Sequence, residues 1–299
     1  MNTPLFSIII PVKDRVSFIE DCLNSVLNQS YKNFEIILVD DNSEENIKNG
    51  FRELSELDNR ILFYEIIDQE GVSVARNEGS SLAKGEYIIF LDDDDQLEEG
   101  FLEEAKEASQ PFHITVMNAE IHPSSDKSLF RTYNQASTLA SLRAYSGILN
   151  LYQLLLTPPP INALVIPKGL LKPFPTSLKA AEDMTLWATL LQEGVIFNKV
   201  SSNAKAQVRV HRNSIQSEGI KVETFFFLES LQKKSLDTKS YSLLHIRIAL
   251  RNLLQVNIEG FIHQSFKAMR YPLSYLTVTR KLGQLKGVAI LKFALKAKS

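Results

Sequence analysis

Apolar positions along the first 110 residues alternate between two patterns. Short continuous runs read as buried strands: Phe6 to Val12, Phe34 to Val39, Ile61 to Ile66 and Glu86 to Leu91. Between them, apolar residues recur at helical spacing. Phe18, Ile19, Cys22, Leu23, Val26 and Leu27 mark the first helix, with Asp14 or Ser17 as its expected cap. Further helices are expected around Glu44 to Glu56, over Val72 to Ala83 with Gly85 as the stop, and from Glu98 to Ser109. Phe112 to Ala119 reads as one more strand, after which the pattern loosens. Leu139 to Leu156 reads as helix, broken by Pro158, Pro159 and Pro160. Ile161 to Ile166 is strand-like, Glu182 to Glu193 helical, and Val208 to Val210 a last short strand. From about Lys221 the pattern is helical throughout.

Strictly alternating strands and helices predict an α/β fold: an open, mostly parallel sheet with helices on both faces. Ligands of such sheets bind beyond the carboxyl ends of the strands. Three of these ends are polar here: Lys13–Asp14, Asp40–Asp41 and Asp92–Asp95. Four consecutive carboxylates repel one another unless a cation or water screens them. Either a solvated acidic turn or a hard divalent cation, Mg²⁺ or Mn²⁺, fits the run. A calcium loop does not, because the spacing lacks the sixth-position glycine and the closing glutamate.

Charge divides the chain. Residues 1–220 carry 19 basic and 31 acidic side chains, whereas residues 260–299 carry 8 basic and no acidic ones. This predicts two units, 1–220 and a basic helical extension, 221–299. The acidic body argues against nucleic acid as a partner. The single cysteine, Cys22, excludes an internal disulfide and suits a reducing compartment. No secretory signal and no membrane-spanning stretch are read from the sequence. The extension fits either a helix lying on an anionic membrane or a helical cap or dimer contact.

The segments FSIIIPVKDR, SVLNQSYKNFEIILVDDNS, GVSVARNEG, AKGEYIIFLDDDD, AAEDMTLW and VRVHRNSIQS occur in that order. Together they resemble family 2 inverting glycosyltransferases of the GT-A fold, over roughly residues 5–217. The resemblance implies a nucleotide-diphosphate sugar donor, UDP favoured, and Mn²⁺ or Mg²⁺. It places Pro11, Lys13, Asp41, Arg76 and Asp92 at the nucleotide, and Asp94 and His211 at the metal. Asp183 becomes the base that takes the acceptor hydroxyl proton. Asp40, Asp93, Asp95, Glu182 and Arg209 are supporting candidates. Several positions keep an ordinary alternative: a helix cap for Asp183, a turn histidine for His211, and a solvated lysine for Lys13, where many relatives have an aromatic. Trp187 reads as core or, less readily, as a platform for the acceptor.

The implied function is metal-dependent, non-processive, inverting transfer of a sugar to a hydroxyl of a glycan or lipid-linked glycan, in bacterial surface polysaccharide synthesis. Cytoplasmic location, peripheral at the inner membrane face, follows from it. The alternative is an inactive GT-A scaffold that binds nucleotide sugar or a protein. A sugar-nucleotide pyrophosphorylase is set aside because PVKDRVSF has no glycine for a phosphate loop, and a processive synthase because QxxRW and membrane helices are missing. Donor sugar, acceptor, linkage and oligomeric state are left open.

Overall fold

The computed structural model describes residues 3–15, 17–67, 70–122, 147–150, 153, 159–178 and 182–209. His211, the helical extension expected over 221–299 and most of the helix expected over 139–156 lie outside them. The elements, in order, are β1 (Phe6–Val12), α1 (Ile19–Leu27), β2 (Phe34–Asp40), α2 (Glu45–Glu56), β3 (Ile61–Glu65), α3 (Val72–Leu82), β4 (Tyr87–Phe90) and β5 (Gln96–Leu97). They continue with α4 (Phe101–Ala108), β6 (His113–Val116), β7 (Asn118–Ile121), β8 (Gly147–Leu149), β9 (Leu164–Pro167), α5 (Glu182–Gln192), β10 (Ile196–Lys199) and β11 (Lys205–Val208).

Eight strands form one sheet in the order β3-β2-β1-β4-β9-β6-β10-β8, and β5-β11-β7 form a smaller one. The β3-β2-β1-β4 half is parallel throughout, and β9 then joins antiparallel to β4. Side chains of a strand alternate between sheet faces, and two cores result. Ile9, Ile37, Val39, Ile88 and Phe90 pack under α3 and α5, with Val74, Ala75, Met184 and Trp187. Ile8, Ile10, Ile36, Leu38 and Ile89 pack under α1, α2 and α4, with Cys22, Leu23, Phe51 and Phe101. Both faces are therefore covered, as the unbroken apolar runs require.

Several expectations are corrected. Asp14 and Ser17 do not cap α1, which starts after Phe18 with no side-chain cap. Asp14 lies at φ 51°, and its carboxylate accepts the Glu44 N–H at 2.9 Å, serving the start of α2 instead. Gly85 does not stop α3, whose last residue is Leu82. A Cβ at Gly85 would lie 2.6 Å from the Ser7 backbone nitrogen, so close passage of β1 explains the glycine. The single strand expected over Phe112 to Ala119 is two strands in different sheets, separated at Met117. Residues 147–149 are strand, not helix. Residues 161–163 form a 3₁₀ turn before β9. The last strand starts earlier, at Lys205, and β5 and β10 were not foreseen. Their runs are too short or too mixed in polarity to show a period.

Trp187 is fully buried and makes edge contacts with Phe174 and Phe197, so it is core and not an acceptor platform. Cys22 is a buried bystander beneath the acidic run, its Sγ 3.6 Å from the Asp92 carbonyl oxygen. Among the described residues no helix is long and apolar enough to cross a membrane.

Candidate active site

Strands β2, β1 and β4 are neighbours and run the same way, so their carboxyl ends share one edge of the sheet. Adjacent strands are about 4.8 Å apart. Topology alone thus lines up Asp40–Asp41, Lys13–Arg15 and Asp92–Asp95. Pro11 is buried within β1, paired with Val39. Hydrogen bonds tie the loops together: the Asp41 N–H donates to the Val12 carbonyl (2.8 Å), and the Asp14 N–H to Ser43 Oγ (2.9 Å).

At the β2 end, Asp40 is buried; its carboxylate receives the Ser43 N–H and lies 3.9 Å from Lys48 Nζ. Asp41 accepts the Gly71 N–H at 2.6 Å, with Lys13 Nζ 3.7 Å away. Burial raises the Asp41 pKa, against the pull of Gly71 and Lys13. Lys13 also pairs with Glu70 at 3.1 Å. Burial works against its charge, but Glu70 and Asp41 outweigh that and raise its pKa.

At the β4 end, each aspartate has a different setting. Asp92 is about a third exposed (37%) and pairs with Arg76 at 2.9 Å. Asp93 is almost buried, with Arg15 Nη2 2.5 Å from one oxygen. Burial pushes its pKa up to about 7, with Arg15 opposing. Asp94 is largely buried and lies 3.4 Å from Arg15 Nη1. Asp95 is buried and receives the Asn162 side-chain amide and the Arg209 N–H, both at 2.8 Å. Its pKa is also raised, by burial first and by its acidic neighbours. Arg209 Nε donates to the Asp94 carbonyl at 3.0 Å, and its guanidinium lies over Phe18 and reaches Asp21.

Arg76 joins the strand edge to α5. Its side chain is 5% exposed, and its Nη atoms meet Asp92 and, at 2.8 Å, Glu182. Burial disfavours its charge, yet the three carboxylates of Asp92, Glu182 and Asp183 hold it protonated above the usual value. Asp183 is the second residue of α5 and accepts the Met184 N–H at 2.6 Å. Burial and the Glu182 charge raise its pKa to about 6, against Arg76. Residue 181, the cap position before α5, is outside the described residues.

One connected set of ion pairs and hydrogen bonds therefore runs from the acidic strand end to the start of α5. Sequence reasoning missed two members, Arg15 and Asn162. Arg15 could have been suspected from its place one residue past the strand-end Asp14, whereas a lone Asn after three prolines carries no signal. Asn77 pairs both ways with the Phe174 backbone and pins the loop before α5. Among the described residues no three His, Cys, Asp or Glu side chains converge to hold a metal ion unaided. Asp92 and Asp94 still suit Mg²⁺ or Mn²⁺, which take hard oxygens and complete their shell with water and phosphate.

Comparison with known proteins agrees with this architecture. The chain is 36% identical over 104 residues to the putative teichuronic acid biosynthesis glycosyltransferase TuaG of Bacillus subtilis, covering 35% of this chain and 41% of that protein. It spans well under half the length of the curated relatives that head the comparison. Among solved structures it resembles S. aureus TarS 1–349 in complex with UDP-GlcNAc, with a TM-score of 0.61 at 18% identity, covering 88% of this chain and 79% of the other. It also resembles the mannosyltransferase PcManGT from Pyrobaculum calidifontis in complex with GDP-Man and Mn²⁺, with a TM-score of 0.62 at 17% identity, covering 98% and 84%. Both likenesses concern the fold. The model of glycosyl transferase family 2 matches residues 7–167, more than half of the chain, and the protein therefore belongs to that family.

Proposed function

We propose that the protein is a metal-dependent, non-processive, inverting glycosyltransferase that moves a sugar from a nucleoside-diphosphate donor to a hydroxyl of a glycan acceptor. The observation that carries this is the link through Arg76 between Asp92 at the acidic strand end and Glu182, the residue next to Asp183 at the start of α5. A donor carries its negative charge on the diphosphate and its reacting centre a few ångströms beyond. This chain presents acids for a cation at one point and a separate half-buried acid beside it.

In this reading the base of the nucleotide meets Asp41, whose carboxylate can accept an imide N–H. Pro11 and Lys13 border the same loop. Asp94 would hold the divalent ion with His211, and Asp92 would face the ribose and the water on that ion. When bound, the ion neutralises charge developing on the leaving diphosphate. Arg76, engaged on both Nη atoms, fixes Asp92 toward the donor and α5 toward the acceptor. Asp183 takes the acceptor proton as the hydroxyl oxygen bonds to the anomeric carbon and the bond to the diphosphate breaks on the opposite face. A pKa of about 6 leaves it ionised at neutral pH, and closer to an alcohol's reach than an ordinary aspartate. Asn162 and the Arg209 N–H hold Asp95 still, which fixes the turn that aims Asp94.

UDP is the favoured nucleotide, supported by the carboxylate at Asp41 and by the fold shared with a protein solved with UDP-GlcNAc. Polysaccharide assembly is supported by the likeness to TuaG. Cytoplasmic location and a membrane contact through the basic extension complete the proposal. Thermal-shift screening of nucleotide sugars with Mn²⁺ tests it. One donor should stabilise the wild type and Asp183→Asn alike, with turnover only in the wild type. Stabilisation by no donor, or full turnover in Asp183→Asn, would refute the assignment.

A further inference from the structure

Two of the four aspartates at the end of β4 have partners that belong to the folded framework. Asp92 is held by buried Arg76, and Asp95 by buried Asn162. Asp93 and Asp94 differ, because the cation facing both comes from the β1 loop. Arg15 is 44% exposed, whereas the two carboxylates are 3% and 11% exposed. A partly exposed guanidinium thus lies over two nearly buried anions. Neither Asp93 oxygen has a hydrogen bond of good geometry among the described residues, so charge rather than a fitted fork holds this contact. The backbone beneath is fixed, because Asp14 is locked by Ser43 and Glu44.

We propose that Arg15 is the counter-charge of the nucleotide-free site. It holds Asp94 until a divalent ion arrives, gives that carboxylate up, and then faces the donor diphosphate. The inference rests on the metal-dependent reading above. A doubly charged ion at bonding distance from oxygen outcompetes a guanidinium at 3.4 Å, but only after that pairing is broken. The pairing therefore lowers ion affinity in the absence of nucleotide, as any competing state does. Release of Arg15 next to the diphosphate would make ion and nucleotide bind cooperatively.

The test is Mn²⁺ binding to the full chain without nucleotide, followed by paramagnetic resonance of the free ion, in wild type, Arg15→Gln and Arg15→Lys. UDP titration at saturating Mn²⁺ follows. Arg15→Gln should bind Mn²⁺ alone about 5-fold more tightly and UDP with Mn²⁺ about 10-fold more weakly, within the usual range of coupling between sites. Arg15→Lys should lie between, since its single ammonium keeps attraction to one carboxylate but cannot meet both. Equal or weaker Mn²⁺ binding by Arg15→Gln would overturn the inference. Tighter Mn²⁺ binding with unchanged UDP affinity would overturn its second half. If the wild type bound no Mn²⁺ with or without UDP, the metal-dependent reading itself would fall.

Discussion

Arg76 is the residue whose removal the structure prices most clearly. Its guanidinium is nearly buried and meets Asp92 and Glu182 at 2.9 and 2.8 Å. Arg76→Met keeps an apolar stem and a contact with Phe174, which now lies under the guanidinium at 5.5 Å. What it loses is the charge. Asp92 is 37% exposed and can turn to water, so its share is under about 1 kcal/mol. Glu182 is 12% exposed and stays buried beside Asp183. Removing one partner of a buried pair costs about 3–5 kcal/mol. A loss of about 3 kcal/mol at pH 8 is expected, since only one of the two pairs is deeply buried. The pH dependence follows from sign. Without Arg76, which opposes the rise, the folded-state pKa of Asp183 climbs further above its unfolded value. Stability from such groups is present at low pH and lost as pH rises through the folded pKa. The deficit should therefore shrink to about 1 kcal/mol at pH 5, where Asp183 takes up its proton. Urea unfolding of both proteins at pH 5 and 8 measures it. A deficit below 1 kcal/mol at pH 8, or one equal at both pH values, would refute the reasoning.

Other expectations can be checked alongside. Transfer by the wild type should fall with one-proton dependence as pH drops through about 6, because Asp183 must be ionised to accept the acceptor proton; a flat profile from pH 7.5 to 5 would remove it as base. Gly85→Ala forces a Cβ against the Ser7 backbone and should cost about 2 kcal/mol in denaturant unfolding, whereas a helix-stop role would predict far less. Lys199 is buried, bonded to Asn118 and the Val200 carbonyl, and burial lowers its pKa to about 8 from 10.5. Its charge thus costs about 3 kcal/mol below pH 8, a cost lost as pH rises toward 10.5. Lys199→Met should accordingly gain stability relative to wild type at pH 7 and lose that gain by pH 10, and a pH-independent difference would contradict it.

The parallel half of the fold could be read because each strand from β1 to β4 is an apolar run bounded by an amphipathic helix. The order of elements then placed Asp41 and Asp92–Asp95 on one edge without any side-chain geometry. The other half could not be read this way. Phe112 to Ala119 looks uniform, yet the chain leaves the main sheet at Met117, and the Asn118–Ser202–Lys199 hydrogen bonds that fix this branch join residues about 80 apart. Pairings of that range leave no local period. The same limit applies to the site. Arg76 could be nominated from its neighbours, but its partner Glu182 lies 106 residues away. Gly85 shows the reverse error: a local rule, glycine at a helix end, concealed a close approach to another strand.

The central claim is that a cation, a diphosphate and Asp183 share one cleft at the strand edge. Calorimetric titration of UDP with and without Mn²⁺ into the wild type, Asp94→Ala and Asp183→Asn tests it most directly. The account predicts Mn²⁺-dependent binding in the wild type and Asp183→Asn, and loss of the Mn²⁺-dependent part in Asp94→Ala. Identical binding by all three proteins, with or without Mn²⁺, would contradict it.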